Sequence, residues 1–171
     1  MALLEIRSVQ AAYGSIQILH GVSLHVDAGE VVSVIGPNGA GKSTTFKAIM
    51  GLVTLLGGEV VFDGSSLVGQ EPDRILARGL AYVPQGRVVF GQMTVRENLE
   101  MGAYLERDRA KVRASMDHVF SLFPRLGERR RVGIRGGVVA MGAAVARAAH
   151  RGLGGGRGRL RAVIGHVNLA E

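Results

Sequence analysis

The 171-residue chain is 47% hydrophobic, enough for one compact domain with a real core and too apolar for an overall disordered chain. It contains no cysteine, which excludes a disulfide framework and a thiolate metal site, and no apolar run approaches the roughly 18 residues of a membrane span. The formal charge of +7 is uneven, with 15 Lys and Arg against 13 acids over residues 1–131 and six Arg against Glu171 alone over 132–171, so it is not the signature of a basic, nucleic-acid-binding body.

The N-terminus, Met1-Ala-Leu-Leu-Glu-Ile-Arg7, lacks the basic region and long apolar core of a secretory signal, and a soluble or peripheral protein is expected. Leu3 to Ser8 and Ile18 to Val26 alternate as half-buried strands do, separated by a turn at Tyr13-Gly14-Ser15. The apolar run Val31-Val-Ser-Val-Ile35 predicts a buried strand, and Thr45 to Met50 predicts the start of a helix. Between them, Gly36-Pro-Asn-Gly-Ala-Gly-Lys-Ser-Thr44 matches the phosphate-cradling pattern G-x-x-x-x-G-K-[ST]. Glycines at 36, 39 and 41 let the backbone curl so that successive N–H groups face an anion, and the following helix adds its positive dipole end. Lys42 supplies a point charge for β- and γ-phosphates, and the Ser43 hydroxyl is a candidate Mg²⁺ ligand. Gly36, Asn38, Gly39, Gly41, Lys42, Ser43 and Thr44 are therefore the candidate nucleotide contacts. A chance match in a chain of this length is roughly a one-in-a-hundred event.

Further along, Glu59 to Phe62 predicts a strand entering a tight turn at Asp63-Gly64. Pro72 suits a first helical turn, so Asp73 to Arg78 predicts a short helix ending at Gly79, followed by a buried strand at Leu80 to Val83 that runs into Pro84-Gln85. Thr94-Val-Arg-Glu97 forms a capping box ahead of a helix over Asn98 to Leu105. Asp108 caps a second helix whose Val112, Met116, Val119, Phe120 and Phe123 recur at helical spacing, as core packing does. This is an α/β body with a helical insertion beginning near residue 90. The five histidines, His20, His25, His118, His150 and His166, show no metal-ligand spacing. From Val132 the composition changes: ten of the last forty residues are Gly and eight are Ala, a segment with little to bury that is not expected to fold alone.

Taken together, Tyr13, Gly36 to Thr44, Tyr82-Val-Pro-Gln85 and Met93-Thr-Val-Arg-Glu-Asn-Leu99 resemble the nucleotide-binding subunit of an ABC transporter. The wording of Ile35 to Thr44 and of Val83-Pro-Gln-Gly-Arg87, with Phe90, Glu97-Asn-Leu99 and Gly102-Ala-Tyr104, is most similar to the ATPase subunits of branched-chain amino-acid importers, over about residues 3–131. The resemblance implies a phosphate-loop NTPase of the ABC ATPase type, with an antiparallel β subdomain and a partial helical subdomain from about residue 88. It places Tyr13 against adenine and makes Gln85 a catalytic loop residue that ligates Mg²⁺ beside Ser43 or holds the attacking water. It implies ATP and Mg²⁺ as ligands, a second ATP-binding subunit and membrane-spanning permease subunits as partners, and a place on the cytoplasmic face of the membrane. Val89, Phe90 and Met93 either contact the permease or pack inside the subdomain.

Three further elements belong to such an ATPase: a signature loop of the L-S-G-G-Q type, an apolar strand ending in Asp-Glu, and a switch histidine. Near the first position stands Ile134-Arg-Gly-Gly-Val138, with Arg135 where the serine would be, and the only acid after residue 131 is Glu171. The C-terminal catalytic half is thus expected to be missing, through truncation or a frame shift near codon 132, and hydrolysis to be poor. The missing strand is expected to leave Val32 and Val34 short of neighbours. A basic Arg-Gly tail that binds nucleic acid is the rival for residues 132–171, weakened by the want of interleaved aromatics. A GTPase would need Asn-Lys-x-Asp, which does not occur.

Overall fold

The computed structural model describes residues 2–85, 89–132 and 162–165. The chain divides into two compact units, Met1–Ile75 and Leu76–Glu171.

In the first unit, β1 (Ala2–Tyr13), β2 (Ile16–Asp27), β3 (Thr54–Phe62) and β4 (Ser65–Ser66) form an antiparallel sheet in the order β2-β1-β3-β4. The β1–β2 hairpin turns at Gly14-Ser15, where the first loop residue has φ 56°, as a two-residue loop with glycine in first place requires. The predicted Asp63-Gly64 turn is present: both residues have positive φ, 50° and 69°, and Phe62 pairs with Ser65 across it. β3 begins earlier than the sequence suggests, at Thr54, because the strand continues through Gly57-Gly58 with a shifted register: β1 carries an extra residue between Arg7↔Glu59 and Gln10↔Gly57, and β3 carries one between Gln10↔Gly57 and Ala11↔Leu55. A side chain at Gly58 would run into the carbonyls of Arg7 and Ser8. Ser8 itself has φ 48°, and its amide, turned out of the ladder, donates to Ser23 Oγ at 2.8 Å. Leu4, Val9, Leu19, Val60 and Phe62 are buried in this unit, together with Ile49 of helix α1 (Lys42–Ile49).

One sequence expectation is overturned. Val31 to Ile35 is not a buried strand: Val31 is 92% and Ile35 80% exposed, and among the described residues no strand pairs with the segment. A strand that is apolar on both faces needs neighbours on both sides, and the described residues supply none.

Helix α2 (Pro72–Ala77) begins at the proline, and Gly79 follows it with φ 102°. In the second unit, β5 (Leu80–Val83), with Leu80 and Ala81 buried, pairs in parallel with β6 (Ala162–Gly165). β6 is a strand that the composition of 132–171 did not announce; most of that segment, including Ile134 to Val138, lies outside the described residues. Helices α3 (Val95–Gly102), α4 (Arg109–Leu122) and α5 (Pro124–Glu128) pack around Val95, Leu99, Met116, Val119 and Leu126. Val112, Phe120 and Phe123 of the predicted stripe lie against this core, and so does Val89, whereas Phe90 is exposed. Fully burying a residue such as Leu99 stabilises by about 2 kcal/mol. Buried Asn98 is satisfied on both sides: its Oδ1 accepts from Phe90 N–H at 2.9 Å, and its Nδ2 donates to the carbonyls of Phe90 and Thr94 at 3.1 and 3.0 Å. Among the described residues no helix is long and apolar enough to cross a membrane.

The capping box forms as the sequence predicts: Thr94 Oγ1 accepts from Glu97 N–H at 3.3 Å, and the Glu97 carboxylate accepts from Thr94 N–H and O–H at 2.7 and 2.8 Å. Those two bonds, the backbone one first, hold the Glu97 carboxyl below its ordinary value of 4.5. Asp108 caps α4, accepting from the amides of Ala110 and Lys111. Thr94→Ala is expected to cost about 1 kcal/mol, read as a lower urea midpoint. Because the folded carboxylate binds its proton less readily than the unfolded one, Glu97 stabilises fully above pH 4.5 and its contribution disappears as pH falls through the lowered folded value. Glu97→Gln should flatten that part of the stability–pH curve.

Candidate functional site

The candidate residues of the first unit gather at the start of α1. Within the loop, Ala40 N–H donates to Pro37 O at 3.2 Å. Gly39 and Gly41 adopt left-handed conformations, φ 86° and 84°, on either side of Ala40. Alternation of this kind turns successive amides toward one side and makes an anion-binding concavity. Gly41 is the N-cap of α1, with no side-chain cap and no acidic residue in the first turn. Its carbonyl accepts from both Thr45 N–H (2.8 Å) and Thr45 Oγ1 (3.0 Å), which pins the helix start. The first turn itself therefore supplies no carboxylate in place of an external anion.

Lys42 completes the arrangement. Its half-buried side chain turns back over the loop, and Nζ donates to Gly36 O at 2.6 Å and Pro37 O at 2.8 Å. Among the described residues no carboxylate pairs with this ammonium. The base of the loop is held against β2: a Cβ at Gly41 would lie 2.8 Å from Cδ2 of buried Leu19. Gly36, Asn38 and Gly39 are exposed, Ser43 is half-buried, and Thr44 is buried, so Thr44 offers a first-turn amide more readily than a hydroxyl.

Tyr13, the last residue of β1, belongs to the same unit and is 43% exposed. Lys47 Nζ lies 5.4 Å from the centroid of its ring, a contact that no linear pattern in the sequence reveals. Gln85 is exposed just beyond β5 in the second unit, and residues 86–88 after it lie outside the described residues. Among the described residues no cluster of three or more His, Cys, Asp or Glu is placed to hold a metal ion.

A glycine-shaped loop that closes on an uncapped helix N-terminus beneath an ammonium defines a phosphate-loop protein. The chain belongs to the ABC transporter family, whose model matches residues 19–145 and so runs past residue 131. It is similar to a high-affinity branched-chain amino acid transport ATP-binding protein of Pseudomonas aeruginosa, with 43% identity over 127 residues, covering 74% of this chain and 54% of that protein. A probable branched-chain amino acid transport ATP-binding protein of Archaeoglobus fulgidus is 36% identical over 118 residues, covering 69% and 50%. ATP-binding proteins of sn-glycerol-3-phosphate import and lipopolysaccharide export also match. A solved ATP-binding subunit of an ABC transporter superposes with a TM-score of 0.72 at 29% identity, covering 87% of this chain and 62% of the other. The chain spans about half the length of the curated relatives in branched-chain amino acid transport.

Two glycines separate strain from collision. Gly39→Ala meets no atom within 4 Å and bears only the left-handed strain, about 1–2 kcal/mol, whereas Gly41→Ala adds the clash with Leu19. Thermal melts should show Gly41→Ala clearly the less stable of the two.

Proposed function

We propose that the chain is an ATP-binding subunit of an ABC importer, and that the solute of the full system is a branched-chain amino acid. The observation that carries the nucleotide reading is the Lys42 ammonium, held by two neutral carbonyls above inward-curled amides, with no carboxylate partner among the described residues. A triphosphate supplies the negative charge this arrangement lacks. Lys42 moves from its own carbonyls to phosphate oxygens, the amides around Gly39 and Gly41 donate to them, and Tyr13 stacks on the adenine. Mg²⁺, when bound, neutralises charge on the phosphate chain. Its protein ligand within the first unit, in this proposal, is Ser43. The solute assignment rests on similarity to two relatives whose names carry it.

The partners are a second ATP-binding subunit and membrane-spanning permease subunits, at the cytoplasmic face of the membrane. A cavity of about 630 Å³ along α3 and α4 supports a permease contact: apolar Val112, Met116 and Phe120 line it together with charged Arg96, Arg109, Arg113, Glu100 and Asp117. A lining that mixes apolar and charged side chains suits a docked helix. We further propose low turnover for the 171-residue chain, because Glu171 is the only acid between residues 132 and 171 and that stretch carries no Asp-Glu pair to order the attacking water.

Circular dichroism melts of the whole chain test the proposal. Saturating Mg·ATP should raise the midpoint, by up to about 2.7 kcal/mol of stabilisation at a hundredfold excess over Kd, and Lys42→Ala should abolish the shift. No shift with wild type overturns the nucleotide reading. Robust hydrolysis that Lys42→Ala removes overturns the low-turnover part.

A further inference from the structure

We infer that Lys47 is a positioning residue for the base end of the nucleotide site: it braces one face of the Tyr13 ring so that the opposite face is presented to a purine. This rests on the proposal that Tyr13 stacks on adenine, and it adds a residue to which neither the phosphate-loop pattern nor the resemblance assigns a role.

Helix α1 carries both lysines. Five positions apart on a helix of 3.6 residues per turn, their side chains diverge by about 140° and their Cα atoms are separated by about 7.5 Å along the axis. One ammonium turns back over the loop, onto Gly36 O and Pro37 O. The other lies 5.4 Å from the centroid of Tyr13, at the end of the β1–β2 hairpin. Among the described residues no carboxylate pairs with Lys47 either, so the electron-rich ring face is the partner its charge has. The helix between them is fixed: Thr44, Thr45, Ala48 and Ile49 are buried, and the Lys47 carbonyl accepts from Leu52 N–H at 2.9 Å. Tyr13 sits on a hairpin end and is 43% exposed, which leaves ring surface for a stacked base. The cation therefore ties the hairpin tip to the helix that begins the phosphate loop. It sets the span between base and phosphates without touching the nucleotide itself. Such pre-organisation favours a ligand that carries a base and is neutral for one that does not.

Titration calorimetry of the full chain in Mg²⁺, with ATP and with inorganic tripolyphosphate, tests the inference. Lys47→Met keeps an apolar stem and removes the cation; it should weaken ATP about three- to fivefold and leave tripolyphosphate unchanged. Lys47→Arg should restore ATP binding, since a guanidinium also sits well over an aromatic face. Adding Lys47→Met to Tyr13→Ala should have no further effect, because the ring through which the cation acts is gone. Unchanged ATP affinity in Lys47→Met, equal losses for both ligands, or full additivity with Tyr13→Ala each overturns the inference. If Tyr13→Ala itself leaves ATP affinity unchanged, the stacking proposal falls and the role of Lys47 with it. If Tyr13→Ala weakens ATP while Lys47→Met does not, the stacking proposal stands and only Lys47 is misassigned.

Discussion

A cationic side chain whose partners are its own loop's carbonyls is the constraint around which the first unit is arranged. Lys42 donates to Gly36 O and Pro37 O, two neutral acceptors that hydrogen-bond its charge without cancelling it. A carboxylate in reach would have neutralised the ammonium and turned the loop into a structural ion pair. With none among the described residues, the loop keeps a positive field at its mouth, and the uncapped helix start adds to it in the same sense. The two left-handed glycines are the backbone conditions for this geometry, and Leu19 beneath Gly41 makes the second of them sterically obligatory as well.

The rest of the unit fixes where that field points. The antiparallel sheet buries Leu4, Val9 and Leu19, and α1 buries Ala48 and Ile49, so the helix is fixed by its apolar side and its first turn stays open at the loop. The sheet also ends its central strand at Tyr13, beside Lys47 of that helix. One hairpin and one eight-residue helix thus hold the glycine loop, Lys42 and the Tyr13 ring as parts of one compact body. The second unit is built on different chemistry: a capping box, a buried and fully satisfied Asn98, and an apolar seam between α3 and α4.

Local signals in the sequence translated well because their causes are local. Thr94 and Glu97 satisfy each other across one helical turn, Asp108 caps the amides just after it, and Asp63-Gly64 needs only its own backbone to reverse the chain. The loop pattern is local for the same reason, since its glycines, lysine and hydroxyl lie within nine consecutive residues, and Gly39 and Gly41 take the left-handed backbone that such a loop needs. What escaped depends on distant partners. Val31 to Ile35 has the composition of a central strand, but composition does not supply the neighbouring strands that bury one, and Val31, Val32 and Ile35 stay exposed. β6 is four residues in a Gly- and Arg-rich stretch, too short to show a period, and its pairing with β5 spans the second unit. The Lys47–Tyr13 contact needs the sheet register and the helix phase together, and neither can be read from the spacing of those two residues.

The central claim is that the amides and ammonium between residues 36 and 44 hold a phosphate chain. Its most direct test is an amide-resolved NMR titration of the isotopically labelled chain with inorganic tripolyphosphate and Mg²⁺, which isolates the cradle from any contribution of a base. The account predicts that the largest shifts fall on the backbone N–H groups of Gly39, Gly41, Lys42 and Ser43 and that they saturate together. A titration that leaves those four amides unmoved at saturating ligand, or that moves only residues outside the loop, would contradict it.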